Sequence, residues 1–133
     1  MAGLPQELRD EILRCQRSQR AFQRHCRIQD KLTRKYIPFD LNEAQVLLET
    51  ALDVQGNKWL YDLKARQLGS TTYNLTRGFR KALLIPGHQS GIVAHTHDAV
   101  TAIFRIAHRI YEKLPSFLRV PTTTSSANEI VFS

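Results

Sequence analysis

The stretch Lys64-Ala65-Arg66-Gln67-Leu68-Gly69-Ser70-Thr71-Thr72 lies between an apolar run, Trp59 to Leu63, and a segment whose spacing predicts a helix over 70–84. Lys58 to Leu63 is predicted to form the strand that leads into this loop. A strand, a tight glycine turn and a helix that opens on hydroxyl side chains form a common arrangement for binding phosphate groups. The start of a helix presents backbone N–H groups without partners and the positive end of the helix dipole. The stretch therefore predicts an anion site, and a triphosphate is the anion most often bound in such a loop.

The pattern departs from the standard phosphate-binding loop, G-x-x-x-x-G-K-[ST]. Counted back from Gly69, the first glycine position holds Lys64 and the lysine position holds Ser70, while Thr71 occupies the place of the magnesium-binding hydroxyl. A lysine ammonium is a point charge on a flexible stem, so Lys64 can reach a phosphate from the front of the loop. The alternative is an ordinary strand–turn–helix connection with a glycine bend and a polar helix start.

The composition is that of one basic globular domain. The chain has 133 residues, of which 42% are hydrophobic, and a formal charge of +7, which favours a polyanionic partner. Cys15 and Cys26 form no C-x-x-C pattern, so they are interpreted as small apolar residues in a reducing compartment. No apolar run is long enough to span a membrane and no secretory signal is evident. The expectation is a cytoplasmic protein with no membrane partner.

A basic helix is predicted over Leu8 to about Arg24, because apolar residues recur at spacings of three and four. From Met1 to Tyr36 there are nine Lys and Arg residues against four Asp and Glu residues. Two interpretations remain open: an arm whose guanidinium groups contact DNA phosphates, or a solvated helix face. The arginines concerned are Arg9, Arg14, Arg17, Arg20, Arg24 and Arg27.

A second helix is predicted from Leu41 to about Val54, with Asp40-x-x-Glu43 resembling a capping box at its start. Gln45 lies one turn into this helix and follows the aromatic Phe39. A glutamine amide offers both a donor and an acceptor, which is the chemistry needed to contact the edge of an adenine base. The alternative is a surface glutamine.

The rest of the chain predicts an α/β fold. Gly91 to His95 is a nearly continuous apolar run and predicts a strand buried on both faces. A strong helix, capped by Thr96 or Asp98, carries apolar residues from Val100 to Leu114 at helical spacing and stops before a proline. A polar loop over 116–127 and a terminal strand over 129–132 follow. The spacing of His88, His95 and His97 matches no zinc pattern.

Taken together, these stretches resemble the N-terminal part of the terminase large subunit of tailed bacteriophages, an ATP-driven DNA-packaging motor with a C-terminal nuclease. The resemblance runs from about Phe22 to the end of the chain. It rests on Ile37-Pro38-Phe39-Asp40-Leu41-x-x-x-Gln45 as an adenine motif, on residues 64–72 as a deviant Walker A loop, and on the strand over 91–95. The implied fold is an incomplete P-loop NTPase (ASCE/RecA-like) of three layers. A basic helical segment, residues 1–36, would precede the N-terminal part of the ATPase domain, residues 37–133.

The resemblance implies a role for each position of the motifs. Gln45, with Phe39 beside it, would contact adenine, and Lys64 would supply the phosphate cation. Arg66 would act as a sensor or phosphate-contacting arginine, and the Thr71 hydroxyl would hold Mg²⁺. Backbone N–H groups of Gln67 to Thr71 would surround the β-phosphate of ATP. The cofactor-binding loop also includes Ala65 and Thr72, besides Gln67, Leu68, Gly69, Ser70 and Thr71. In the full-length family protein, the partners are double-stranded DNA, the small terminase subunit and the portal.

The chain also departs from the family pattern. No apolar run ending in Asp-Glu follows the loop, so no Walker B aspartate or catalytic glutamate is present. Without these groups nothing completes the Mg²⁺ shell or polarises water, and we expect a truncated terminase that binds ATP but is inactive alone. Two alternatives remain: a non-enzymatic basic module that binds DNA, and a fragment of another motor ATPase such as a helicase. Ser70 argues against the helicase, which would usually have lysine there.

Overall fold

The structure, a computed structural model, describes residues 3–63 and 69–133. Over these ranges the chain folds into five α-helices and two antiparallel hairpins of two strands each. The helices are α1 (Gln6–Arg17), α2 (Gln19–Gln23), α3 (Glu43–Glu49), α4 (Ser70–Leu84) and α5 (His97–Lys113), and the strands are β1 (Arg27–Gln29), β2 (Tyr36–Pro38), β3 (Thr122–Ser125) and β4 (Ile130–Phe132).

The single N-terminal helix predicted from the sequence is broken at Ser18. This residue has an extended backbone, with φ −124° and ψ 120°, and its hydroxyl accepts a hydrogen bond from the backbone N–H of Ala21. Serine side chains compete in this way with helical hydrogen bonds and favour the first position of a new helix. The break redirects the chain, so that Cys15 of α1 and Phe22 of α2 both lie in the core.

The C-terminal end of α1 is joined to α4 by a buried arginine. Arg80 is 6% exposed, and its Nε donates to Gln19 Oε1 at 2.7 Å. Its Nη1 donates to the carbonyls of Cys15 and Gln16, which lie in the last turn of α1, where carbonyls lack partners within the helix. Burial, followed by the positive charge of Arg77, lowers the pKa of Arg80. These contacts hold the end of α1 and the start of α2 against α4.

Helix α3 begins at Glu43, two residues after the predicted start at Leu41. Its capping box is formed by Asn42 and Gln45, whose side chains each accept a hydrogen bond from the backbone N–H of the other. The prediction that Asp40 and Glu43 form this box is wrong. The helix continues as a π-helical turn, Thr50–Val54. The helical segment therefore ends at Val54, as predicted, but its last turn is wider than that of an α-helix.

Helices α4 and α5 form where the sequence predicted them, and this prediction is confirmed. Thr96 is the residue that caps α5, since its hydroxyl accepts from the N–H of Ala99. The two helices pack together through one core, to which their apolar faces contribute Tyr73, Leu75, Phe79, Leu83, Leu84, Ala107 and Ile110.

The two inner strands predicted from apolar runs do not form. Residues 58–63 and 91–95 are irregular, with Trp59 90% and Val93 98% exposed. An apolar run becomes a strand only where another strand supplies hydrogen-bond partners, and none of the described residues pairs with either run. The described strands are all antiparallel, so the three-layer P-loop fold stays a prediction.

The terminal strand is confirmed, and it has a partner that the sequence did not indicate. β4 pairs with β3, which lies within the segment predicted as a polar loop. Phe132 then contacts the rings of Phe79 and Tyr111, with centroids 5.7 and 5.9 Å apart. The predicted boundary between residues 36 and 37 falls inside β2, where Ile37 pairs with Ile28, and both predicted segments contribute to the same core.

Replacing Arg80 with alanine should destabilise the fold. The change leaves a buried carbonyl of Cys15, a partly buried carbonyl of Gln16 and the Gln19 amide without their donor, which costs about 2–4 kcal/mol of unfolding free energy. Urea denaturation followed by circular dichroism measures this loss. Arg105→Ala, which removes an exposed cation of α5, is the control and should stay within about 0.5 kcal/mol of the wild type. Equal stabilities for the two variants would contradict the role given to Arg80.

Candidate functional site

A cavity of about 580 Å³ lies between the β1–β2 hairpin, the start of α3, the start of α4 and one face of α5. Four of the residues predicted to bind the nucleotide line it: Phe39, Gln45, Gly69 and Thr72. The structure therefore brings the proposed adenine motif and the end of the proposed phosphate loop to one place, although 24 residues separate Gln45 from Gly69.

Gln45 connects these two parts through its side chain. It is 4% exposed, its Oε1 accepts from the backbone N–H of Asn42 at 3.0 Å, and its Nε2 donates to the carbonyl of Gly69 at 3.0 Å. A glutamine amide has two donors and two acceptor lone pairs, so its bonds to residues 3–63 and 69–133 leave one donor and one lone pair. The alternative of an ordinary surface glutamine is excluded by its burial.

Gly69 fits this contact only because it lacks a side chain. Its φ of 78° is in the left-handed region, which glycine adopts at little cost. A Cβ atom built on it would lie 2.6 Å from Gln45 Nε2 and 3.4 Å from Asn42 Nδ2. The residue precedes α4, whose first turn accordingly begins against the Gln45 amide.

Cations surround the cavity. Arg27, Lys31, Arg34 and Arg109 line it together with two carboxylates, Asp30 and Asp40, and none of these cations forms an ion pair within residues 3–63 and 69–133. The carboxylate of Asp30 is engaged inside the hairpin turn, where it accepts hydrogen bonds from the N–H and the hydroxyl of Thr33, both at 2.7 Å. These bonds lower the pKa of Asp30. The arrangement is suited to a polyanionic ligand.

The other residues of the predicted phosphate loop do not all lie at this cavity. Lys64, Ala65, Arg66, Gln67 and Leu68 lie outside the described residues. Ser70 is buried. Thr71 is exposed and lines a second cavity, of about 410 Å³, on the other side of α4. Thr71 and Thr72 therefore face different cavities, and the assignment of Mg²⁺ to Thr71 stays a prediction.

The sequence does not indicate that the packing of the β1–β2 hairpin against α5 brings several cations to one cavity. Arg27 and Arg34 belong to the basic segment for which DNA contact and a solvated face are both open, and the sequence gives Arg109 no role. The sequence contains no signal for them, since Arg109 lies 75 residues beyond Arg34 and only the packing of α5 against β1 joins them.

A second group of chemically active side chains lies elsewhere, on α1 and just after α2. Glu11 Oε1, Cys15 Sγ and His25 Nε2 all lie within 4.8 Å of one another. The His25 and Glu11 atoms are 2.9 Å apart, and this hydrogen bond is the main cause of the lowered pKa of Glu11. Burial is the main cause of the raised pKa of Cys15, about 11. The spacing of Glu11 and Cys15, four residues apart on one helix face, was the available sequence signal.

Comparison of the chain with protein-family profiles, with curated proteins and with solved structures found no match. None of the helices in the described part of the chain is long and apolar enough to cross a membrane.

Replacing Gly69 with alanine should test the contact with Gln45. Gly87 has a similar φ of 74° but open space at its Cβ position, so Gly87→Ala measures the backbone strain alone, on the order of 1 kcal/mol. Gly69→Ala should lose about 1 kcal/mol more, because the Gln45 hydrogen bond is also displaced. Denaturant unfolding of both variants gives the comparison. Equal losses would mean that the close approach of Gln45 has no energetic consequence.

Proposed function

We propose that this chain binds ATP in the cavity beside Gln45 and that it is the nucleotide-binding N-terminal portion of a terminase-like DNA-packaging ATPase. The observation that carries the proposal is the hydrogen bond from Gln45 to Gly69, which joins the adenine motif to the end of the loop at the edge of one cation-lined cavity. In such a motor, double-stranded DNA, the small terminase subunit and the portal would be the partners.

The size and charge of the cavity support nucleotide binding. Its volume of about 580 Å³ falls within the roughly 300–1,000 Å³ of typical small-molecule sites. Gln45 keeps one side-chain N–H and one lone pair that no described residue engages, and these match the donor and acceptor of an adenine edge. Arg27, Arg34 and Arg109 provide guanidinium groups that bind phosphate oxygens in bidentate fashion, and the start of α4 adds its backbone N–H groups.

The proposal concerns binding and not hydrolysis. No acidic pair follows an apolar run in this sequence, and Thr71 does not share the cavity of Gln45. Mg²⁺ binding at Thr71 therefore stays a prediction, and we derive no metal-dependent step from the described residues.

Titration with a fluorescent ATP analogue tests the proposal. The wild-type chain should give a saturable signal that unlabelled ATP displaces more effectively than GTP, because Gln45 complements adenine. Lys64→Ala should abolish the signal, whereas Lys58→Ala, an exposed lysine before the loop, should leave it unchanged. No binding by folded wild-type protein, or equal loss in both lysine variants, would contradict ATP binding through this loop.

A second candidate function is DNA binding by the basic N-terminal segment. Arg17, Arg24 and Arg27 are exposed and lack ion-pair partners within the described ranges. Two other arginines of this face are neutralised, since Arg14 pairs with Glu11 at 3.5 Å and Arg20 with Glu49 at 2.9 Å. Part of the face predicted to contact DNA is therefore occupied by internal ion pairs, which makes this candidate the weaker one.

Salt dependence tests DNA binding. If free guanidinium groups contact phosphates, duplex affinity should fall steeply with salt, and Arg17→Ala with Arg24→Ala should together lower the log–log slope by about 2. Fluorescence anisotropy at several salt concentrations, with and without ATP, provides the measurement. Arg105→Ala, on α5, is the control and should keep the slope. Salt-insensitive binding, or none, would remove this candidate.

A further inference from the structure

We propose that Glu11, Cys15 and His25 form a binding site for a single thiophilic transition-metal ion of the Zn²⁺ type. Glu11 and Cys15 lie four residues apart on α1, so both side chains lie on the same face of the helix. The break at Ser18 and the short helix α2 return the chain, which brings His25 to this face. The site is independent of the proposed nucleotide cavity and shares no residue with it.

The three ligand atoms already lie at distances close to those of a metal site. His25 Nε2 is 2.9 Å from Glu11 Oε1, and Cys15 Sγ is 3.9 Å from the same oxygen. Zinc bonds of roughly 2.0–2.3 Å in a tetrahedron place neighbouring ligand atoms roughly 3.3–3.8 Å apart. Small side-chain rotations are therefore sufficient to place one ion among the three atoms.

The donor set selects the class of metal. A thiolate and an imidazole favour Zn²⁺ and related transition metals, whereas Mg²⁺ and Ca²⁺ prefer sites made of oxygen ligands alone. On binding, the Cys15 thiol releases its proton to solvent, His25 coordinates as the neutral imidazole, and Glu11 coordinates as the carboxylate. The two negative ligands balance the charge of the divalent ion, so the bound site is neutral, which suits a fully buried cysteine.

Neighbouring groups hold two of the ligands in place, as the outer groups of a metal site do. Arg14 Nη1 lies 3.5 Å from Glu11 Oε2, the carboxylate oxygen that would stay unbound. The His25 ring packs edge-on against Phe117, with centroids 5.4 Å apart. The side chains of Glu11 and His25 are 27% and 24% exposed, so an ion can enter from their side, and the fourth coordination position is left for water or an external ligand.

Titration of the full chain with Co²⁺, a spectroscopic substitute for Zn²⁺, tests the proposal. The wild type should develop a thiolate-to-cobalt charge-transfer band and should lose it when Zn²⁺ is added. Cys15→Ala should abolish this band. Cys26→Ala is the matched control, because Cys26 is an equally buried free thiol outside the cluster, and it should retain the band.

His25→Gln provides a second test that does not disturb the core. Glutamine can keep a hydrogen bond to Glu11 but is a poor zinc ligand, so Zn²⁺ affinity should fall at least roughly tenfold. Zn²⁺ should also raise the melting temperature of the wild type more than that of this variant. A folded wild type without a Cys15-dependent band, or an unchanged Zn²⁺ affinity in His25→Gln, would show that the cluster is only a hydrogen-bonded contact between helices.

Discussion

The buried guanidinium of Arg80 determines how the two halves of the described chain meet. It supplies hydrogen bonds to the end of α1 and to the first residue of α2, while its own backbone belongs to α4. A cation buried in this way is tolerated because carbonyl and amide oxygens replace its water. Once α4 is fixed against α1, Phe22 and Phe79 come together in the core, with ring centroids 6.4 Å apart.

The same arrangement places both candidate sites. Helix α4 presents its start, with Gly69, to the Gln45 amide, and α5 packs beside it so that Arg109 reaches the cavity. In the N-terminal segment, the chain turns back after Ser18, and this turn brings His25 to Glu11 and Cys15. One site is rich in cations and suited to a polyanion, and the other is suited to a metal ion. Their chemistry differs because different elements converge at each.

Charge is distributed unevenly between free and paired groups. The composition alone gives a formal charge of +7, but it does not say which cations are available to a ligand. Arg14, Arg20 and Arg77 are engaged with carboxylates, and Arg80 is buried. The cations that remain unpaired in the described part of the chain include those around the cavity, where four face two carboxylates. The proposed ligand site therefore coincides with a local concentration of free positive charge.

The sequence by itself determined the elements whose information is local. α4 and α5 follow from apolar residues at helical spacing and from the residues at their ends, and the terminal strand follows from its β-branched and aromatic residues. It also singled out Phe39, Gln45, Gly69 and Thr72, which share one cavity.

Tertiary structure alone decided the features that depend on distant partners. The apolar runs over 58–63 and 91–95 are irregular, because no strand among the described residues pairs with them. The polar segment Thr122–Ser125 becomes a strand because β4 pairs with it. Arg109 and His25 acquire their neighbours only through packing. Helical periodicity is encoded within a few residues, whereas strand pairing and side-chain convergence depend on contacts between residues far apart in the chain.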